Sequence, residues 1–247
     1  MSAAAPGPIH EDDDLRIDRI DGRGGRLVLA FTGIGHGSGG LQRAEFVRSA
    51  SQDGANTVLF VTDVKRSWYS APGLLDRLRT RARAVWDELG QPAIVTIGNS
   101  MGGFGAILAA RDLPVRAVLA FGPQFSMDES VVREPRWRQW RANFGPLPVR
   151  ALDEVMIGGT ECATRFYLFH GTDGVEQRQI RGFPAAPHVR HYLFDGAPHN
   201  VALPFKEAGT LDALIGAVAA LDDTAVHDIA TAVGARPRHD AVAGAAR

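Results

Sequence analysis

The fold is decided at residues 93–103, Ala-Ile-Val-Thr-Ile-Gly98-Asn99-Ser100-Met101-Gly102-Gly103. Residues 93–97 form a continuous apolar run, the pattern of a strand buried on both faces. Residues 101–111, MGGFGAILAAR, are small and apolar, as in a helix packed tightly on a sheet. Between them, Gly98-Asn99-Ser100-Met101-Gly102 reads G-x-S-x-G. A serine at so tight a strand-to-helix turn sits in strained backbone. Glycines two positions to either side keep Cβ atoms out of the neighbouring strand and helix. The serine Oγ then projects from the top of the sheet, and the helix aims its free N–H groups at charge developing there. With 28 glycines in 247 residues, such a motif arises by chance about 0.1 times per chain. The flanking strand and helix therefore give it its weight.

Outward from this turn, residues 26–32 (RLVLAFT), 57–62 (TVLFVT) and 115–121 (VRAVLAF) are further apolar runs. Residues 164–170 (TRFYLFH) and 189–194 (VRHYLF) read as two more strands, and 15–20 (LRIDRI) alternates like a half-exposed edge strand. Helical patterns cover 41–52, 73–89, 201–220 and 224–233. Buried strands alternating with helices predict an α/β fold with a mostly parallel, doubly wound sheet. The expected organisation is a flexible tail over 1–14, one domain over 15–220, and a C-terminal helix with a disordered tail over 221–247. Within the domain, the irregular segment 124–160 is expected to form a small cap or none. In such sheets ligands sit at the carboxyl ends of the strands.

A serine alcohol needs a base, and the base needs an orienting acid. On a sheet of this type the chain order is Ser, then Asp or Glu, then His. The strand ends supply His170-Gly171-Thr172-Asp173 and then Asp195-Gly196-Ala197-Pro198-His199. The triad expected is Ser100, Asp173 and His199, with Glu176 and Asp128 as alternatives for the acid. An oxyanion hole needs two preorganised N–H groups. Met101 supplies one. The Gly-rich loop 33–40 supplies the other, most directly at Ile34, with Gly35 beside it.

These residues resemble the α/β-hydrolase superfamily over roughly residues 15–220. The resemblance rests on the Ser100 elbow, the Thr32-Gly33-Ile34 turn, the Asp173 turn, the His199 loop, and Asp63 before Val64-Lys65-Arg66. It implies acyl transfer to serine followed by attack of water on a small acyl ester or thioester, without metal or organic cofactor. Trp137, Trp140, Phe125 and Phe144 would line an acyl pocket or pack the cap. Arg133, Arg136, Arg138 and Arg141 read as a solvated charge run.

Composition narrows the alternatives. Net charge is −1 with 22% charged residues, which argues against a nucleic-acid partner or a polybasic membrane surface. The expectation is a cytoplasmic protein without membrane contact: no apolar run approaches the ~18 residues of a spanning helix, and the N-terminus lacks the basic start and apolar core of a signal peptide. One cysteine, Cys162, excludes an intramolecular disulfide and a multi-thiolate zinc site. A rival reading takes Gly35, Gly37 and Gly40 as a G-x-G-x-x-G loop and Asp63 as a ribose ligand of NAD(P). It leaves Ser100 and His199 idle and finds no Tyr/Lys pair, since Lys65 and Lys206 are the only lysines. A non-catalytic binding protein of the same fold is the third reading.

Overall fold

The structure is a computed structural model that describes residues 6–35, 40–157 and 163–238. Gly37, Cys162, His239 and most of the expected C-terminal tail lie outside the described residues. Nine strands form one sheet: β1 (Gly7–Glu11), β2 (Leu15–Ile20), β3 (Leu27–Phe31), β4 (Thr57–Asp63), β5 (Ile94–Asn99), β6 (Val115–Phe121), β7 (Arg165–Gly171), β8 (Val189–Phe194) and β9 (Arg236–Pro237). Their spatial order is β1-β2-β4-β3-β5-β6-β7-β8-β9. The six strands from β4 to β8 in that order pair in parallel, whereas β1, β2 and β9 join antiparallel at the two sides.

The helices are α1 (Val47–Ser51), α2 (Leu74–Glu88), α3 (Met101–Leu108), α4 (Asp153–Met156), α5 (Glu176–Ile180), α6 (Leu203–Glu207), α7 (Leu211–Ala220) and α8 (Asp223–Ala232). Two hydrophobic layers explain the unbroken apolar runs. Leu27, Leu29 and Phe31 of β3 pack into the layer that holds α2, α3 and the segment after β6. Val28 and Ala30 face the other layer, with α7 and α8. A strand covered on both faces has no polar side to alternate with.

The ends and some helices differ from the sequence expectation. Residues 7–11 are not a loose tail: they form β1, which pairs with β2, so β2 is not the edge. The turn between them is built by Asp12, whose Oδ1 accepts the N–H groups of Asp14 and Leu15 at 2.9 and 2.8 Å. The short carboxylate satisfies backbone donors that a turn would otherwise leave open. The pattern over 201–220 splits into α6 and α7 because Gly209 takes φ +67° between them. Such a left-handed residue ends a helix. The helix read over 41–52 contracts to the five residues of α1. The described residues of 124–160 carry no strand, only a 3-10 turn at Arg138–Asn143 and α4.

Candidate active site

Ser100 links β5 to α3 at φ 57°, ψ −122°. Non-glycine residues hold such a conformation only where their surroundings over-determine it. Ser100 N–H donates to Phe121 O at 2.7 Å, and Phe104 N–H donates to Ser100 O at 3.0 Å. The serine is therefore clamped between β6 and its own helix, with 4% of its surface exposed. The motif glycines do the steric work expected of them. A Cβ on Gly98 would lie 2.1 Å from Gly102 O, and one on Gly102 would lie 2.2 Å from Phe31 O.

His199 sits on the loop after β8. Its Nδ1 pairs with Glu176 Oε1 at 2.6 Å. Its Nε2 is buried and has no protein partner among the described residues. The turn Phe121–Gln124 lies between this histidine and Ser100. A Cβ on Gly122 would touch His199 Cε1 at 3.1 Å, and Gln124 Nε2 donates to Ser100 Oγ at 3.4 Å.

The carboxylate at His199 is therefore Glu176, one of the two alternatives, and not Asp173. The reason is local. Asp173 is short and folds back, its Oδ1 accepting Glu176 N–H at 3.1 Å, while its backbone N–H donates to Ala197 O at 3.3 Å. Asp173 thus caps the first turn of α5 and ties it to the histidine loop. Glu176, on that first turn, has the reach to meet the imidazole. Asp128 lies elsewhere: it accepts from Ser130 and pairs with Arg150.

Arg136 is the second departure. It is no part of a solvated run. Its Nε and Nη2 donate to Glu134 at 2.8 and 2.6 Å, and its Nη1 donates to Glu176 Oε1. Nη1 also lies 3.4 Å from His199 Nδ1. Burial pushes the Glu176 carboxyl up, but the hydrogen bond and charge of His199 together with Arg136 outweigh it and hold the group at about 2. Glu134 is fully buried and is likewise held low by Arg136 against its burial. Glu134, Arg136 and Glu176 sum to −1, so an imidazolium at His199 brings the cluster to neutrality. Gln179 joins α5 to this group, donating to Glu134 Oε2 at 3.2 Å and accepting Phe125 N–H at 2.8 Å.

Thr32 N–H is used by Val61 O at 2.9 Å. Gly33 N–H lies toward the Glu45 carboxylate and favours its charged form. Among the described residues, the N–H groups of Ile34 and Gly35 have no acceptor, and Met101 opens α3, where helix N–H groups have no intrahelical acceptor. Arg66 pins this loop: its Nε donates to Ile34 O at 2.9 Å and its Nη2 to Gly40 O at 3.0 Å.

Burial pushes the Glu45 carboxyl up to about 7, with the Gly33 N–H partly offsetting it. A folded value above the unfolded one means that ionising Glu45 costs stability, and the cost grows as pH rises from about 4.5 to 7. Glu45→Gln keeps an acceptor for Gly33 and carries no charge. It should therefore melt higher than wild type at pH 8.5, with the gap closing toward pH 4. A gap independent of pH in paired thermal melts would refute this.

Asp63 does not face a ligand. It is fully buried, and its carboxylate accepts Tyr69 N–H at 2.9 Å and the Ser67 hydroxyl at 3.1 and 3.2 Å. Turned into its own loop, it is not available to a ribose. His191 is packing: it shares a buried 2.9 Å contact with His170, which in turn meets Pro123 O at 2.9 Å. Trp137 lies 6.0 Å from the His199 ring, and Trp68 packs on Trp137 and Phe144. The segment after β6 therefore reaches the His199 ring through Trp137 and packs on Trp68 through Trp137 and Phe144. No cluster of metal-ligating side chains occurs among the described residues, and none of their helices is long and apolar enough to cross a membrane.

No family model and no curated protein sequence matches the chain. Solved structures do. The chain is similar to the capsule O-acetyltransferase of Neisseria meningitidis serogroup A, at 12% identity and TM-score 0.57 over 82% of this chain and 93% of that one. It is similar to the Thermogutta terrifontis esterase Est2, at 19% identity and TM-score 0.57 over 89% and 94%. An α/β serine hydrolase homologue from Coxiella burnetii matches at 16% identity and TM-score 0.51 over 90% and 98%. With the parallel sheet and the strand-to-helix serine turn, these likenesses show that the chain has the α/β-hydrolase fold.

Proposed function

We propose that this α/β-hydrolase-fold chain is a serine hydrolase that cleaves a small acyl ester or thioester through an acyl-enzyme on Ser100. One observation carries the reading: a histidine whose Nδ1 is held by a buried carboxylate, and whose Nε2 has no partner among the described residues, meets the same β6 turn as a serine at a strained elbow. A histidine so held presents a free basic nitrogen to a neighbouring proton donor.

In this reading Ser100 Oγ attacks the substrate carbonyl while its proton passes to His199 Nε2. Glu176, in place of the expected Asp173, fixes the imidazole tautomer and stabilises the imidazolium. The N–H groups of Met101 and Ile34 receive the oxyanion. Collapse expels the alcohol or thiol, which takes the proton from His199. Water then adds to the acyl carbon through the same base, and Ser100 leaves. The scheme needs neither metal nor cofactor. Similarity to both esterases and an O-acetyltransferase supports acyl-ester chemistry in general. The acceptor of the second step, water or another hydroxyl, separates the two activities.

The test is intact-mass labelling with a fluorophosphonate. Wild type should gain one adduct, and Ser100→Ala and His199→Ala should gain none. A wild type that stays unlabelled, or a Ser100→Ala protein that labels equally, removes the proposal. A thermal shift with NAD(P) would then bear on the rival dinucleotide reading.

A further inference from the structure

We infer that Gln124 is a catalytic residue, donating a hydrogen bond from its side-chain amide to Ser100 Oγ as the acyl-enzyme forms and breaks down. The inference rests on Ser100 being the nucleophile.

Gln124 follows β6 and Gly122-Pro123, and it is fully buried. Its amide has two unlike ends, one accepting and one donating. Trp68 decides which end faces the serine. The indole Nε1 can only donate, and it lies 2.9 Å from Gln124 Oε1. Turning the amide over would bring two donors face to face in a buried place and leave both unsatisfied. Nε2 is thereby committed to the other side, where it stands 3.4 Å from Ser100 Oγ and 3.5 Å from Gly122 O.

Trp68 is itself held with some effort. Arg66, Trp68 and Tyr69 have φ of 57°, 53° and 61°, three bulky non-glycine residues in a conformation such side chains rarely adopt. The Asp63 carboxylate ties this loop together through Tyr69 N–H and Ser67 Oγ. Strain of this kind persists where the rest of the structure imposes it, and it clusters at functional sites. Here the strained loop does two things for the site. Arg66 fixes the oxyanion loop, and Trp68 fixes the amide of Gln124.

The chemistry follows from where charge develops. As the Oγ–H proton moves to His199 Nε2, negative charge grows on Oγ until the bond to the acyl carbon forms. In deacylation the C–Oγ bond breaks, the electron pair returns to Oγ, and His199 gives the proton back. A donor at Oγ favours both steps. It also occupies an acceptor site of the hydroxyl and leaves its hydrogen free to point toward the base. This is distinct from the oxyanion hole, which acts on the carbonyl oxygen. At 3.4 Å the contact is long, as catalytic hydrogen bonds often are before substrate binds.

The rate of fluorophosphonate attachment at Ser100 reads Oγ attack directly and requires no knowledge of the natural ester. Saturation kinetics by intact mass separate the maximal labelling rate from the reagent affinity. Gln124→Met, close in size but without a donor, should lower the maximal rate roughly tenfold, the worth of one neutral hydrogen bond, with affinity nearly unchanged. Trp68→Phe leaves Gln124 in place and frees its amide to turn, so it should show a smaller loss in the same parameter. A purely structural role would instead appear as a lowered melting temperature or weaker reagent affinity at an unchanged maximal rate. Folded Gln124→Met labelling at the wild-type maximal rate overturns the inference. If that variant does not fold, an unchanged rate in Trp68→Phe overturns it. An unlabelled wild type overturns the Ser100 reading, and this inference with it.

Discussion

Glu176→Gln is expected to lower kcat about 10⁴-fold on the ester that wild type turns over best, the scale seen when a triad acid is replaced by its amide. Asp173→Asn is expected to stay within about tenfold of wild type. The asymmetry is the opposite of what the turn His170-Gly171-Thr172-Asp173 suggests by sequence alone. Glu176 Oε1 is 2.6 Å from His199 Nδ1, so the amide no longer selects one tautomer or balances an imidazolium. It also strips Arg136 of a counter-charge while leaving the guanidinium 3.4 Å from the ring. The Asp173 side chain holds the backbone of Glu176, and Asn keeps that acceptor and caps about as well as Asp. Parallel kcat and thermal-melt measurements decide the matter. A large loss at Asp173 with a mild one at Glu176 would return the acid to Asp173.

This reversal shows which parts of the site a sequence carries. Ser100 and His199 are legible because their setting is local: a buried strand, a turn of small residues, a helix. The acid is not. Asp173 and Glu176 stand three residues apart on the same turn, and which reaches the imidazole depends on side-chain length against a loop 23 residues further on. Arg136 was less legible still. Its spacing from Arg133, Arg138 and Arg141 looks like surface charge, and nothing local reveals that Glu134 and Glu176 enclose it. Gln124 follows an ordinary strand end, and its role depends on Trp68, 56 residues earlier. The sheet is legible because its signal is periodicity. The N-terminal strand β1 is not, because a five-residue segment of mixed polarity has no period of its own, and pairing with β2 makes it a strand.

The elbow was legible for a different reason: its glycines answer to a hard geometric constraint. Gly98→Ala would place a methyl 2.1 Å from Gly102 O and 2.2 Å from Gly102 C, and Gly102→Ala would place one 2.2 Å from Phe31 O. These neighbours are backbone, which cannot rotate away. Relief requires α3 to lift from β5, or β3 to shift, through a core packed to crystal-like density. Each substitution should cost at least about 3 kcal/mol, the upper end for overpacking, lowering Tm by roughly 6–12 °C for a chain of this size. Turnover should fall further than stability, since displacing a nucleophile by about 1 Å can cost 10²-fold. Gly174→Ala is the matched control. A methyl there meets nothing within 4 Å, and its Tm should equal or slightly exceed wild type through the lower entropy of the unfolded chain. Equal melting temperatures for Gly98→Ala, Gly102→Ala and Gly174→Ala would mean that Ser100 is not held by steric contact between β5, α3 and β3. The strained backbone at Ser100 would then need another cause.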